Sequence, residues 1–202
     1  MRNITFDLTA LHKHGPAFFN YLKLRKHFFV DTLHWDVAHN ADYEMDQYDN
    51  PTAWYSLVVR DGEVLGGARV MPTTSIWGQH TYMLRDAFRG KLAGIPDRAM
   101  PSEIATPHVW ECTRLVVTEK LGSRAERSQC LSMIVEGLTN IASDHSASEL
   151  VTLSTISLMR ALRQLGFPVD RLGEAYRDPC DGRRYAVLRM PVAATVHAIA
   201  AE

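Results

Sequence analysis

The first half of the chain combines a helix-like apolar pattern with a strand hairpin. Residues 11–33 place apolar side chains at helical spacing, which predicts one helix, or two helices with a break. Residues 54–60 and 63–71 read as strands on either side of Asp61-Gly62. This dipeptide is typical of a tight hairpin turn, because glycine tolerates a positive φ. We therefore expect a hairpin after the N-terminal helical region.

The second half alternates strand-like and helix-like segments. These are strand 109–117, helix 124–145, strand 149–155, helix 157–165 and strand 184–190. The connections are a polar loop at 38–52 with one helical turn and an irregular stretch at 76–107 with a short helix at 84–88. A long loop of this kind is often functional. The order predicts an α/β protein with a mixed sheet and helices on both faces.

Composition restricts the class of protein. A chain of 202 residues with 46% hydrophobic content fits a single domain over 1–202. Twenty-two basic and 23 acidic residues give a net charge of −1, which argues against a nucleic-acid partner. No apolar run approaches the roughly 20 residues that span a bilayer, and the opening segment is too polar for a secretory signal. Three cysteines without metal-ligand spacing predict reduced thiols, no metal site and a cytoplasmic location.

Several charges lie on otherwise apolar elements. Residues 43–49 (YEMDQYD) carry three carboxylates, while Arg25, Arg69 and Arg114 interrupt apolar segments, as does Glu111. Buried charges are costly unless they are paired, so this set indicates either structural ion pairs or a polar cavity. Because a strand alternates its faces, Glu111 and Arg114 point to opposite sides unless a bulge intervenes.

Taken in order, these motifs resemble those of the LuxI-type acyl-homoserine-lactone synthases. The matching positions are Arg25, Phe29 and Trp35 in LRKHFFVDTLHW, Asp46 and Asp49 in YEMDQYD, Arg69 in GGARVMPTT, and Glu111 and Arg114 in WECTRLVV. The resemblance runs from about residue 24 to residue 117, and no single motif in it is specific. One departure is His34, which stands before the tryptophan where the family commonly has glycine.

The resemblance implies both a fold and a reaction. The fold is an acetyltransferase-like (GNAT-like) αβα sandwich with a mixed, mostly antiparallel central sheet, whose V-shaped opening holds a pantetheine arm. The reaction transfers an acyl group from acyl-ACP or acyl-CoA to the amine of S-adenosyl-L-methionine. Lactonisation then releases methylthioadenosine and an N-acyl-L-homoserine lactone, a quorum-sensing signal. S-adenosyl-L-methionine is a substrate here, so no cofactor is expected.

The resemblance also implies roles for individual residues. Glu111 is the expected catalytic base. The residues expected to bind S-adenosyl-L-methionine are Arg25, Phe29, Trp35, Asp46, Asp49, Arg69 and Arg114. In the less similar C-terminal third, the small polar residues Thr152, Ser154 and Thr155 are candidates for an acyl pocket, although ordinary strand positions explain them equally well.

Two other functions fit the same fold. One is a general N-acyltransferase that acylates a different amine, and the other is a non-catalytic sensor of acyl thioesters. A plain acetyl-CoA-dependent acetyltransferase is less favoured, because residues 119–124 (EKLGSR) keep only one glycine of the phosphate loop Q/R-x-x-G-x-G/A.

Overall fold

The structure, a computed structural model, describes residues 1–192. Its first half contains β1 (Arg2–Asp7), a 3-10 helix (Leu8–His14), α1 (Ala17–Arg25), a π-helix (Lys26–Thr32), β2 (Trp54–Arg60), β3 (Glu63–Pro72) and α2 (Met83–Phe88). A short 3-10 helix (Asp97–Ala99) precedes the second half. That half contains β4 (Val109–Val117), α3 (Arg124–Asp144), β5 (Glu149–Thr155), α4 (Ile156–Gln164), β6 (Asp170–Arg171), β7 (Tyr176–Arg177) and β8 (Arg184–Pro191).

One eight-stranded sheet runs through the described residues. Its order is β1-β2-β3-β4-β5-β8-β6, with β7 paired to β8. Only β4 and β5 pair in parallel, and the other described pairs are antiparallel. The predicted hairpin is present between β2 and β3, where Asp61 and Gly62 both have positive φ. The predicted mixed, mostly antiparallel sheet is therefore confirmed.

Helices cover both faces of the sheet. On one face, which we call the α1 face, α1 and the π-helix pack against the sheet around a core that includes Tyr21 and Leu57. On the other, the α3 face, α3 and α4 pack against a second core that includes Ile134 and Leu188. This arrangement confirms the predicted αβα sandwich.

The sheet opens between its two parallel strands. Pairing of β4 with β5 ends at Glu111 and Val151, although both strands continue. A cleft of about 530 Å³ lies beyond this point. Its walls are apolar at Phe28, Leu115, Leu131, Leu158 and Leu165, and its mouth carries Glu119, Arg124 and Arg127. The V-shaped opening that the resemblance implies is thus present.

The structure also differs from the sequence predictions. β1 was not predicted, because its six residues contribute only Ile4 and Phe6 to the core. The predicted alternative of two helices with a break corresponds to the 3-10 helix and α1 on either side of Gly15 and Pro16, but α1 continues directly into a π-helix that was not predicted. The predicted single domain over 1–202 stays a prediction.

Three further observations concern the described residues. None of their helices is long and apolar enough to cross a membrane. They contain no cluster of three or more His, Cys, Asp or Glu side chains suited to a metal ion. Cys112, Cys130 and Cys180 are free thiols. The cytoplasmic location stays a prediction.

Candidate active site

Three arginines and three carboxylates form a closed ring of alternating charge on the α1 face of the sheet. Arg25 pairs with Glu44 (2.5 Å), Glu44 with Arg114 (3.1 Å), Arg114 with Asp46 (2.8 Å), Asp46 with Arg69 (2.6 Å), Arg69 with Asp49 (2.8 Å) and Asp49 with Arg25 (2.8 Å). We call these six residues the charge ring. Because its charges balance and each member is paired, the ring tolerates burial that would be prohibitive for a lone charge.

The carboxylates of the ring come from a single loop, and two of them accept hydrogen bonds from backbone N–H groups of the same loop. Asp46 accepts a hydrogen bond from the backbone N–H of Tyr48 (2.9 Å), and Asp49 accepts one from that of Asp46 (2.9 Å). Burial alone raises the pKa of Asp46, but Arg69 and Arg114 outweigh it and hold that pKa well below its usual range. The loop is therefore fixed to the sheet by ionised carboxylates.

The three arginines of the ring differ in how fully they are engaged. Arg25 is completely buried, and its Nε, Nη1 and Nη2 all bind Glu44 or Asp49. Arg69 is equally buried, with its Nε bound to the Thr113 hydroxyl (3.0 Å) and both Nη atoms on carboxylates.

Arg114 is the more accessible member of the ring, with a side chain that is 10% exposed. Its Nε and Nη2 contact Glu44 and Asp46, while its Nη1 has no hydrogen-bond partner within the described part of the chain. Arg114 is therefore the ring arginine best placed to contact a bound anion.

A β-bulge brings Arg114 onto the same face as Glu111. Arg69 lies opposite Thr113 and Gly67 lies opposite Val116, so the single residue between them on β3 faces two residues on β4. Arg114 is the first of those two and has a φ of 57°. The bulge reverses the alternation of faces beyond it. Val116, which a regular strand would direct to the other face, accordingly packs into the α1-face core. The conflict between Glu111 and Arg114 in a regular strand is resolved in this way.

Helix α1 holds the bulge in place. The hydroxyl of Tyr21, a fully buried residue, donates a hydrogen bond of 2.7 Å to the carbonyl oxygen of Arg114. A left-handed backbone is uncommon for a residue with a side chain and needs such support. Tyr21 was not among the predicted site residues.

Glu111 is buried beneath the first turn of α2. Its Oε2 and Oε1 accept hydrogen bonds of 2.8 Å from the backbone N–H groups of Met83 and Leu84 respectively. Burial raises the pKa of Glu111 to about 7, although both N–H groups and nearby Arg69 act in the opposite direction. A carboxyl group with a pKa near neutrality is suited to accept and return a proton.

The two predicted aromatic residues, Phe29 and Trp35, lie beside the charge ring next to Arg114. The guanidinium of Arg114 lies 5.4 Å from the centre of the Phe29 ring, and Phe29 stacks on Trp35 at 5.1 Å. The indole N–H of Trp35 donates to Asp181 Oδ2 (3.3 Å), which also accepts from the Tyr185 hydroxyl (2.7 Å). The C-terminal third therefore orients Trp35, a contribution that the sequence did not predict.

The predicted acyl-pocket residues are divided between two environments. Thr152 and Ser154 alternate with Val151 and so share the α3 face, where α3 and α4 border the cleft. The Thr155 hydroxyl instead accepts the N–H of Leu158 (3.1 Å) and caps α4. Thr155 therefore stabilises the N terminus of α4.

Glu44 belongs to the charge ring but was not among the predicted site residues. It is fully buried and bridges Arg25 and Arg114. The available signal was its position in YEMDQYD, two residues before Asp46, but sequence alone did not separate it from a solvated acidic residue.

The sequence matches the family described as autoinducer synthase over residues 13–195. The chain belongs to the autoinducer synthase family. This synthase is 31% identical over 151 residues to an acyl-homoserine-lactone synthase of Acinetobacter nosocomialis, covering 72% of the chain and 76% of that relative.

Solved structures agree with this assignment. The synthase is similar to LasI, an AHL synthase, with a TM-score of 0.72 and 25% identity over 95% of the chain and 90% of LasI. It is also similar in fold to BjaI, a CoA-dependent acyl-homoserine lactone synthase solved with MTA, with a TM-score of 0.75 and 19% identity over 93% of the chain and 82% of BjaI.

These comparisons confirm the family, the acetyltransferase-like fold and the assignment as an enzyme. The synthase is an acyltransferase that acylates S-adenosyl-L-methionine and forms a lactone from it. S-adenosyl-L-methionine is its substrate and not a cofactor.

Proposed function

We propose that both steps of the reaction take place beside the charge ring, with Glu111 as the base. The observation that carries this proposal is the β-bulge, which puts Arg114 on the same face as Glu111, a buried carboxyl group with a pKa of about 7. A proton acceptor and an anion-binding group are then available together where the sheet opens.

In the first step, the amine of S-adenosyl-L-methionine attacks the acyl thioester. An α-amine has a pKa near 8, so it must lose a proton before it can attack. Glu111 accepts that proton through a water molecule, because its carboxylate is fully buried. The new amide bond forms as the C–S bond breaks, and the thiol of the pantetheine arm leaves with a proton.

In the second step, the carboxylate of the acylated substrate attacks its own γ-carbon. The lactone C–O bond forms, the C–S bond to the sulfonium breaks, and neutral methylthioadenosine leaves. The sulfonium is already a good leaving group, so the protein acts mainly by holding the substrate folded. Arg114 would hold the carboxylate, and Trp35 with Phe29 would face the adenosine or the sulfonium.

The other predicted substrate-binding residues take a supporting role in this proposal. Arg25, Asp46, Asp49 and Arg69 bind one another, so their polar atoms are largely occupied. They would fix the position of Arg114 and give the substrate site its shape. Glu44 belongs with them.

The acyl donor would occupy the cleft between β4 and α4. Its apolar lining suits a pantetheine arm and the start of an acyl chain. Thr152 and Ser154, on the same side of the sheet, would border the rest of the acyl chain. The donor is a pantetheine thioester carried either by an acyl carrier protein or by coenzyme A.

The decisive experiment incubates the purified protein with S-adenosyl-L-methionine and matched acyl-ACP and acyl-CoA donors. We expect methylthioadenosine and acyl-homoserine lactone to form together, as detected by mass spectrometry. Glu111→Gln should lower kcat by about 10²–10⁴-fold, the range that a positioned base contributes.

Two results would contradict the proposal. An acylated amine without methylthioadenosine would indicate a general N-acyltransferase. A Glu111→Gln variant with full activity would exclude Glu111 as the base, whichever product is formed.

A further inference from the structure

The two backbone N–H groups that bind Glu111 belong to a helix that is too short to hold its own position. Helix α2 has 6 residues and lies in the long connection between β3 and β4. Isolated helices shorter than about 12 residues are marginally stable in water. The direction in which the N–H groups of Met83 and Leu84 point therefore depends on contacts made from outside the helical backbone.

The side chain of Asp86 fixes the start of α2. Asp86 is fully buried, and its Oδ1 accepts a hydrogen bond of 2.8 Å from the hydroxyl of Thr81. The backbone N–H of Thr81 also donates to the carboxylate, at 3.3 Å to Oδ1 and 3.2 Å to Oδ2. Thr81 directly precedes Tyr82, the N-cap residue of the helix. The carboxylate thus reaches back to the segment that leads into α2, as the acidic residue of a capping box does.

Asp86 also connects α2 to the loop that supplies the carboxylates of the charge ring. Its Oδ2 accepts a hydrogen bond of 3.1 Å from the hydroxyl of Tyr48, a buried residue of that loop. The guanidinium of Arg69 lies over the Tyr48 ring, 5.6 Å from its centre. One carboxylate therefore holds the helix beside Glu111 in a fixed relation to the charge ring.

Asp86 makes these contacts as an anion. Burial raises its pKa, but the hydrogen bonds from Thr81 and Tyr48 and the charge of Lys91 outweigh burial and hold that pKa below its usual value. Lys91 Nζ lies 3.4 Å from Oδ1, and His80 Nδ1 lies 3.5 Å from Oδ2. Hydrogen bonds to an ionised acceptor are stronger than those to a neutral one, so the network is suited to hold a short helix.

We propose that Asp86 is a positioning residue that keeps the N–H groups of Met83 and Leu84 directed at the carboxylate of Glu111. Without it, α2 loses both its fixed start and its connection to the charge ring, and the two N–H contacts weaken. The pKa of Glu111 then rises above about 7, because burial raises it and these N–H groups act against burial. This inference rests on the proposed function for the role of Glu111 as the base.

The test compares Asp86→Ala with Asp86→Asn. Alanine removes every contact of the carboxylate, while asparagine keeps an acceptor and removes the charge. The pH dependence of kcat is measured with both substrates saturating. The pKa of Glu111 is also measured in the free enzyme by NMR of its carboxyl carbon, assigned with Glu111→Gln, so that protonation of His80 is not mistaken for it. For Asp86→Ala we expect both values to rise by about one unit, and for Asp86→Asn by less.

The rise should change the rate only on the acid side of the profile. In Asp86→Ala, kcat should fall about tenfold at about pH 6 and stay within about threefold of the wild type at about pH 9. A residue that only stabilised the fold would lower the rate equally at every pH. An unmoved inflection would therefore overturn the proposal.

The direction of the shift separates positioning from charge. Loss of a nearby anion would by itself lower the pKa of Glu111, since a like charge disfavours ionisation. Arg69 and Asp46, two other charges that act on Glu111, are the same in every variant. A fall in the pKa of Glu111 in Asp86→Ala would contradict the proposal. Should that variant fail to fold, Tyr48→Phe decides: it removes the hydroxyl bound to Asp86 and should lower kcat about twofold at about pH 6.

Glu103→Gln is the matched control, because Glu103 binds the same helix from its exposed side. Its carboxylate accepts hydrogen bonds from Arg85 of α2 (2.7 Å) and from the adjacent Arg89 (2.9 Å). We expect this variant to move the pKa of Glu111 by less than about 0.2 unit. An equal rise in Glu103→Gln and Asp86→Ala would overturn the specific role of Asp86. A kinetic inflection that persists in Glu111→Gln would overturn the proposed function instead, while the NMR comparison would still decide the role of Asp86.

Discussion

Arg25 and Arg114 belong to the same charge ring but have different surroundings. Every guanidinium nitrogen of Arg25 binds a carboxylate in a fully buried site, whereas Arg114 is partly exposed and its Nη1 binds no residue among 1–192. Lysine has a single charged nitrogen and cannot reproduce bidentate contacts. The same substitution should therefore affect the two positions differently.

Arg25→Lys should act on stability. It breaks buried pairs with Glu44 and Asp49, and we expect the free energy of unfolding to fall by about 3–5 kcal/mol. Arg114→Lys should instead raise the KM for S-adenosyl-L-methionine by about tenfold, with a smaller loss of stability. Urea denaturation and steady-state kinetics on both variants test this. An Arg25→Lys variant with an unchanged urea midpoint and a raised KM would reverse the roles.

Glu111 should govern the acid side of the pH–rate profile. Its pKa of about 7 means that the ionised base is lost as the pH falls below neutrality. With both substrates saturating, we expect kcat to fall below about pH 7 in inverse proportion to the proton concentration. In Glu111→Gln the small residual rate should show no inflection near pH 7. If that inflection survives the substitution, another group titrates in its place.

At the scale of whole elements, the end of the π-helix explains the departure at His34. His34 has a φ of 55° and donates its N–H to Val30, while Trp35 donates to Phe29. These bonds close the helix with a residue in the left-handed region, where glycine is preferred because it has no Cβ. The turn delivers Trp35 to Phe29, so its geometry matters for the proposed substrate site.

His34→Gly should relieve the strain at this turn. A left-handed conformation costs a residue with a side chain about 1–2 kcal/mol, part of which glycine returns through its greater freedom when unfolded. We expect His34→Gly to leave the free energy of unfolding equal or slightly higher, and His34→Val to lower it by more than about 1 kcal/mol. His27→Gly, at an exposed position inside the π-helix, is the control and should destabilise by about 1 kcal/mol. Equal losses for both glycine variants would show that His34 is unstrained.

Local patterns predicted most elements but not the details that assemble the site. Strand β4 was evident from its apolar run, and α3 from its periodicity. The bulge at Arg114 depends on the register between β3 and β4, which is set by residues distant in sequence. Likewise, the sequence showed that Arg25, Arg69 and Arg114 needed partners, but not which carboxylate each would bind. The π-helix was missed because its apolar spacing resembles that of an ordinary helix.

For the molecule as a whole, the charge ring makes stability depend on pH. The pKa of Asp49 is lowered in the folded state: burial raises it, but Arg69 and Arg25 outweigh burial. Its contribution is therefore fully present above the ordinary pKa of 3.8 and is lost progressively as the pH falls from that value through the lower pKa of the folded state. Stability should decline on acidification because the unfolded chain takes up protons at these carboxylates while the folded ring still holds them ionised.

Asp49→Asn tests this dependence. At pH 7 we expect the variant to lose about 3–5 kcal/mol of unfolding free energy, since it leaves Arg25 and Arg69 underpaired. The gap from the wild type should narrow between pH 5 and pH 3, as measured by chemical denaturation. Asp31→Asn, which removes an exposed pair with Lys26, should cost less than about 1 kcal/mol. A gap that stays constant with pH would show that folding does not lower the pKa of Asp49.

The ring also determines when, during synthesis, a working enzyme can first exist. A ribosome delivers Arg25 and the three carboxylates early, but Arg114 emerges only after β3 and the long connection that follows it. Until then, Glu44 and Asp46 each lack one counter-ion. Burial of an incompletely paired carboxylate is costly, so both side chains are more stable in water than in the core. Trp35 gains its Asp181 contact later still. A nascent chain that has not yet reached Asp181 therefore lacks the Trp35 contact, and we expect the proposed substrate site to form only after that point.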